Sequence, residues 1–392
     1  PDALQGYEIL PRRVAEKEID VGSQKRSGFR LLMCSDKECE MQTFEDGIIS
    51  VAHVTKVLVK LRWLTHPRVV LIIKRPRDFE TTKAMIRVMK HLKKKNIVTL
   101  VEEKVLSELR ESADFAEIAD SIYTRPTGEI HTEPIDFIVC LGGDGTMIWT
   151  SSLFPRGIPP IISIAMGSLG FLTPFLLGHL EKHLDELLHT PDIFQLSVRA
   201  RIEAEIHKYD NDGELKHVRT ISVMNEVVVD RGPSSSLVHV DLYAGDRTEP
   251  ITTVQGDGII LATPTGSTAY SLAAGGSMVH PGIPAMAITP ICPHSLSFRP
   301  IVVADSTNIL IKVPDLARHP AKVSFDGRNT VELRRGEELR CVVSDFPLVS
   351  VCKQGESKDW FAAMKENFYW NERRVQKAHG TTTNPQPPDS KI

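Results

Sequence analysis

The stretch IDFIVCLGGDGTMIW (residues 135–149) is mostly apolar through Leu141, then turns to two glycines, an aspartate, a third glycine and a threonine. A strand that ends in glycines brings bare backbone close to something, because no Cβ blocks the approach and positive φ is cheap. In an open parallel sheet, ligands bind just beyond the carboxyl ends of the strands. A helix starting near Thr146 adds free N–H groups and a positive N-terminal end, which suits phosphate. Gly142, Gly143 and Thr146 are therefore candidate phosphate contacts, and Asp144 is a carboxylate directed into the crevice. Asp is also a common helix cap, and for an isolated D-G-T capping is the simpler reading. The stretch is neither GxGxxG nor a Walker loop, since it has no Lys and its glycines are spaced differently.

The surrounding chain supports a sheet of that kind. RVVLII (68–73), IVTLVEE (97–103), DFIVCL (136–141) and IPPIISIAM (158–166) read as strands, and DFETTKAMIRVMKHLKKK (78–95) as an amphipathic helix with an Asp cap. Continuous apolar strands between helices predict a parallel sheet covered on both faces. After HLEKHLDELLH (179–189) the segments become short, alternating and punctuated by Gly, Pro, Asp and Asn, which is antiparallel β texture. The expected division is a flexible N-terminal arm over 1–64, an α/β domain over 65–178 and a β-rich domain over 179–357. A C-terminal segment (358–376) and a polar, Pro-rich, disordered tail (377–392) complete it.

The 392 residues suffice for two domains. A net charge of −3 gives no global basic field, so neither nucleic acid nor an anionic membrane is an expected partner. No run of 18 apolar residues is present to span a bilayer. Residues 1–20 hold no apolar signal core, and Pro1 in place of Met leaves open whether a targeting segment preceded it. Six cysteines at this length do not make a disulfide scaffold, and Cys34 and Cys39 lack the neighbours of a zinc site. The expectation is a reduced, cytoplasmic protein.

Two further stretches carry chemistry. TTVQGDGIILATPTGSTAYSLAAGG (252–276) holds a second G-D-G and a dense series of small hydroxyl residues and glycines around Tyr270. Turn formation accounts for some of these residues. Together they suit a polyhydroxylated, phosphorylated ligand, with Tyr270 stacking on a base or packing in a core. In MNEVVVD (224–230), Asn225 and Glu226 interrupt an apolar strand. They read either as partners for ribose hydroxyls or as a solvated strand end, because buried and unbonded they would be costly.

LGGDGT, NE and TPTGSTAYSLAAGG, in this order, resemble the NAD kinase family, and in particular its cytosolic animal-type members. The wider likeness includes MGSLGFLTPF (166–175), NEVVVDRGPSS (225–235), ITPICPHSLSFRPIVV (288–303) and VSFDGR (323–328), and spans about residues 65–375. GGDGT alone also occurs in diacylglycerol and sphingosine kinases and in phosphofructokinases. The resemblance implies transfer of phosphate from ATP to the 2′-hydroxyl of the adenosine ribose of NAD. It implies a Rossmann-like N-terminal domain, a β-sandwich-like C-terminal domain and a site between them, with residues 358–371 packing back on the first domain. Carried over by motif, Asp144 is the base, with Gly145, Asn225, Glu226, Asp257 and the loop residues Thr268, Ala269, Tyr270, Ser271 and Ala273 around NAD. Homotetramers or dimers are common in the family. Gln255 stands where bacterial relatives carry Arg or Lys, which puts a charge contact there in doubt.

The chemistry agrees with these residues. Phosphoryl transfer asks for positioning and charge neutralisation, and a ribose hydroxyl needs a base within hydrogen-bond reach. No dense carboxylate cluster is visible, so Mg²⁺ is expected chiefly on the ATP phosphates. Lys74 and Arg75, at the end of the first strand, are candidates to meet those phosphates or else form a solvated basic strand end. A lipid kinase sharing GGDGT and a non-catalytic NAD(P)-binding regulator are the rival readings.

Overall fold

The computed structural model describes residues 25–34, 38–50, 58–111, 122–190, 194–245 and 248–371. Strands β1 (Phe29–Cys34), β2 (Cys39–Phe44) and β3 (Leu58–Trp63) form a small antiparallel sheet in the order β2-β1-β3. The parallel strands β4 (Val69–Lys74), β5 (Val98–Glu102), β6 (Tyr123–Arg125), β7 (Phe137–Gly142) and β8 (Ile161–Ala165) follow, in the order β8-β7-β4-β5-β6. Every residue of β4 and β7 is buried, which is why both read as unbroken apolar runs.

Helix α1 (Phe79–Lys93) connects β4 to β5, and the Asp78 side chain caps it by accepting the Thr81 N–H. Helix α2 (Glu103–Arg110) follows β5, α3 (Asp144–Ser152) follows β7, and α4 (Leu180–His189) follows a short strand, β9 (Phe175–Leu176), paired with β8. The chain moves outward from β4 to β5 and β6, then returns to the other side of β4 as β7. The carboxyl ends of β4 and β7 therefore flank the topological switch point, where ligands bind in sheets of this kind.

Residues 202–343 fold into two six-stranded antiparallel sheets packed on one core of Val, Ile, Leu and Phe side chains. One contains β11 (Ile202–Tyr209) and β12 (Leu215–Val223). The other contains β13 (Glu226–Asp230), flanked by strands 258–262 and 321–325.

Three expectations need correction. Residues 25–63, read as part of a flexible arm, include the β1–β3 sheet, whose Phe29 is fully buried with its ring 5.6 Å from Phe44 and 5.9 Å from Trp63. The charged residues that hid the pattern lie on the outer face, as β1 alternates buried and outward side chains. Residues 1–24 and the tail from 372 lie outside the described residues. The domain edge also moves. Helix α4 packs on α1 through Arg87–Glu181 and His91–Asp185, and β10 (Leu196–Arg199) joins strand 348–351 on the edge of the parallel sheet. The first domain thus keeps residues to about 199 and recovers 348–351. Finally, Cys34 and Cys39 form a disulfide that closes the β1–β2 hairpin, against the expectation of a fully reduced chain, while Cys140, Cys292, Cys341 and Cys352 are free.

Replacing Phe29 by Ala removes an aromatic ring from a close-packed core and is expected to cost about 3–5 kcal/mol, measured by chemical denaturation. A loss under about 1 kcal/mol would return β1 to the status of an arm.

Candidate active site

The glycines after β7 do two different jobs. A Cβ on Gly142 would lie 2.1 Å from the Thr146 hydroxyl oxygen, so the helix start requires glycine there. Around Gly143 and Gly145, by contrast, a Cβ would meet only open space, so the backbone at the start of α3 is open to a ligand at the switch point.

Asp144 does not cap α3. Gly143 is the cap residue, and the Asp144 side chain crosses to the loop after β8. Its Oδ2 accepts the Phe171 N–H and its Oδ1 the Leu172 N–H, both at 2.9 Å, with the Thr173 hydroxyl at 3.5 Å. Gly170 permits this approach, since a Cβ there would stand 2.1 Å from Oδ1. A carboxylate offers about four lone-pair directions, so two backbone donors leave capacity for a hydroxyl.

The same loop is tied to the second domain. Arg199, buried at the end of β10, donates to the Phe171 carbonyl and to the Thr265 hydroxyl, both at 3.2 Å. Thr265 opens the TGSTAY loop, whose backbone is locked onto Asn225. The Thr263 N–H donates to the Asn225 carbonyl at 2.9 Å, and a Cβ on Gly266 would fall 2.0 Å from that oxygen. GGDGT, MNE and TPTGSTAY are thereby brought together through one guanidinium.

Asn225 and Glu226 are held from below by Asp326, which accepts the Met224, Asn225 and Glu226 N–H groups at 2.8, 2.7 and 3.2 Å. Two side-chain oxygens, Asn225 Oδ1 and Glu226 Oε2, are buried without a hydrogen-bond partner. Buried orphan acceptors are rare in native proteins and point to a missing donor. Glu226 is only 8% exposed, which overturns the solvated-strand-end reading. Burial first, and the nearby Asp326 charge second, push its carboxyl up to about 7, opposed by a bond from the Tyr270 backbone N–H. Burial likewise raises Asp326 above the usual range, against its three N–H bonds.

Tyr270 is 45% exposed, so it is not a core residue of the sandwich. Burial of its hydroxyl, and the carboxylates of Asp230 and Asp257 among its neighbours, raise its pKa. Asp257 is half-exposed and pairs with Arg231 at 2.7 Å. Thr268 donates to the Thr265 carbonyl, and Ala269 and Ala273 lie at the accessible rim of the loop. Ser271 is set apart: it is fully buried and bonded to Thr289 at 2.9 Å, so its hydroxyl serves the fold.

Lys74 is a further correction. Its ammonium is buried and neutralised by Glu108 at 2.5 Å, with the Arg75 carbonyl at 3.1 Å. Helix α2 brings Glu108 over the end of β4, which the sequence around Lys74 could not show. Arg75 stays accessible beside the switch point, 3.5 Å from Asp78. Sequence reasoning missed Arg199, Arg231 and the roles of Gly170, Phe171 and Asp326. Arg231 and the last three stood within the quoted NEVVVDRGPSS, MGSLGFLTPF and VSFDGR runs, while Arg199, a lone Arg at the end of strand β10, gives no signal.

The pattern for the ATP-NAD kinase N-terminal domain matches residues 70–193, and that for the ATP-NAD kinase C-terminal domain matches residues 224–352. The chain is 33% identical to yeast NADH kinase, solved with NADH, at a TM-score of 0.72, covering 82% of this chain and 93% of that one. The chain belongs to the NAD kinase family. It is also similar to the chloroplastic NAD kinase 2 of Arabidopsis thaliana, 39% identical over 92% of this chain and 36% of that protein. With the NAD(+) kinase of Saccharomyces cerevisiae it shares 38% identity over 69% of this chain and 52% of that protein. The chain thus spans between a third and about half of the length of these two relatives.

The raised Glu226 pKa has a consequence for stability. A carboxyl titrating higher in the folded state than unfolded stabilises the protein below the unfolded value, near 4.5, and loses that contribution as pH rises through about 7. The difference in melting temperature between wild type and Glu226→Gln is therefore expected to move in favour of the variant from pH 5 to pH 8. A pH-independent difference would contradict this.

Proposed function

We propose that this protein is an NAD kinase, transferring the γ-phosphate of ATP to the 2′-hydroxyl of the adenosine ribose of NAD to give NADP. The observation that carries the reading is the pair of orphan acceptors, Asn225 Oδ1 and Glu226 Oε2, on a segment fastened to the TGSTAY loop. A ribose diol supplies the two O–H donors that such a pair lacks. Tyr270 gives an accessible ring for a base, and Asp257 with Arg231 forms the rim of the same loop cluster.

Asp144 is proposed as the base. The hydroxyl proton passes to a free lone pair on its carboxylate as the ribose oxygen attacks the γ-phosphorus and the bond to the β–γ bridging oxygen breaks, leaving ADP. Its two backbone bonds fix the carboxylate, so proton acceptance does not require the side chain to reorient. The open glycine backbone at Gly143 and Gly145 and the half-exposed Arg75 are suited to the phosphates. Magnesium enters as the magnesium complex of ATP, and among the described residues no group of three or more His, Cys, Asp or Glu side chains converges to hold a metal.

A homo-oligomer is proposed on the edge strand 301–304, where Ile301 and Val302 expose apolar side chains beside an unpaired backbone edge. Sedimentation velocity distinguishes a monomer from the proposed dimer or tetramer. No helix among the described residues is long and apolar enough to cross a membrane. The four free cysteines support a cytosolic setting, with the Cys34–Cys39 bond as the opposing feature.

The deciding measurement is NADP formation from magnesium-ATP in wild type and Asp144→Asn, with NADH and polyphosphate tested as alternative acceptor and donor. The asparagine keeps one acceptor oxygen but turns its NH₂ toward an N–H donor of residue 171 or 172, a clash expected to cost about 1–3 kcal/mol of stability. The protein remains folded, and kcat drops by about 10²–10⁴. A wild-type enzyme that binds NAD without forming NADP would end the kinase reading. A near-normal kcat in Asp144→Asn would end the base assignment alone.

A further inference from the structure

The last helix among the described residues, α5 (Glu356–Phe368), ends directly on the loop that cradles the Asp144 carboxylate. The Asn367 side-chain NH₂ donates to the Leu169 carbonyl at 3.1 Å and to the Ala363 carbonyl of its own helix at 2.8 Å. The Phe368 ring packs on the Phe171 ring with centroids 5.4 Å apart. These contacts fall on either side of Gly170, the residue whose missing Cβ lets Asp144 approach. Phe171 is thus held three ways: its N–H by Asp144, its carbonyl by Arg199 and its ring by Phe368.

The other end of α5 is anchored independently. Glu356 accepts the Ser197 hydroxyl at 2.5 Å, Asp359 accepts the Lys353 and Gln354 N–H groups, and Trp360 is buried against His280 at 5.2 Å. His280 follows Val279, whose N–H donates to Ser267 in the TGSTAY loop at 2.8 Å. The helix therefore spans from the loop cluster of the second domain to the carboxylate cradle of the first. Asn367 and Phe368 themselves are solvent-exposed, with only one face of each in contact, so neither contributes much to a core.

We propose that Asn367 and Phe368 are positioning residues for phosphoryl transfer, setting the backbone at 169–171 and through it the Asp144 carboxylate. This rests on Asp144 acting as the base. Because the two side chains touch neither the orphan acceptors nor Tyr270, their removal should leave NAD binding intact and slow the chemical step. A displacement of about 1 Å at a catalytic group can cost up to 10²-fold in rate.

The test is a cycle in the 392-residue chain: wild type, Asn367→Ala/Phe368→Ala, Asp144→Asn, and the three changes combined. The positioning variant is expected to lose about tenfold in kcat, with KM for NAD within twofold and a melting temperature within about two degrees of wild type. Amide exchange in peptides covering 166–175 should quicken at the same time. Phe368→Leu, with Asn367 kept, should recover most of the rate, and Trp370→Ala, on the exposed turn just beyond the helix, should change nothing. In the Asp144→Asn background the positioning pair should have no further effect on kcat. Unchanged exchange with unchanged kcat in the positioning variant would overturn the proposal, as would a tenfold loss that persists without the Asp144 carboxylate. Full activity of Asp144→Asn by itself would instead remove the base assignment, a separate result from full activity of the positioning variant beside an inactive Asp144→Asn.

Discussion

Both oxygens of one carboxylate, Asp144, accept backbone N–H groups from a loop that follows the next strand in the sheet. The rest of the site depends on that bridge. It occupies the side chain at a helix N-terminus that would otherwise cap its own helix, and it fixes where the 166–173 loop runs across the carboxyl ends of β7 and β8. Glycine at 170 and glycine at 142 are consequences of the same geometry. One makes room for the carboxylate, the other for the Thr146 side chain that lets α3 begin so close to the strand.

Two arginines two residues apart extend the constraint to the second domain. Arg199 links the Phe171 carbonyl to Thr265, so the carboxylate cradle and the TGSTAY loop share one rigid, planar donor. Arg201 is fully buried and donates to the carbonyls of Ser151, Phe154, Arg156 and Phe346. Burial lowers its pKa to about 10, with Glu203 and Asp326 opposing. Three of these carbonyls, those of Ser151, Phe154 and Arg156, sit at and beyond the C-terminal end of α3, where a cation is favoured by the helix dipole. Helix α3 is thus fixed by Asp144 at its start and by the second domain at its end. A buried guanidinium stripped of such partners would be heavily penalised, so the joint between the domains has little freedom to slide.

Asp326 plays the corresponding part for the acceptor pair. By taking three consecutive N–H groups it spares the side chains of Asn225 and Glu226 that duty, and one oxygen of each stays buried without a donor. Burial first, and the Asp326 carboxylate beside it second, lifts the Glu226 carboxyl to about 7.

The strands β4, β5, β7 and β8, the Asp78-capped helix and the change to antiparallel texture were legible in the sequence, because burial on both faces or on one writes a distinct periodicity into a strand. So were the three stretches that make the site, since glycines, hydroxyl residues and an N-E pair inside apolar runs conflict with simple packing. The β1–β3 sheet was not legible, because its strands carry charged residues on the face turned outward. Nor was the fate of Lys74, whose partner Glu108 is brought by a helix 34 residues on. The sequence by itself determined that a carboxylate would stand among bare backbone at a strand end, for that is local chemistry. Whether Asp144 capped its helix or crossed to another loop, and which arginine joined the domains, was decided by the tertiary structure alone. Those partners are set by strand order, and no local pattern encodes the distance between segments that meet only in the folded chain.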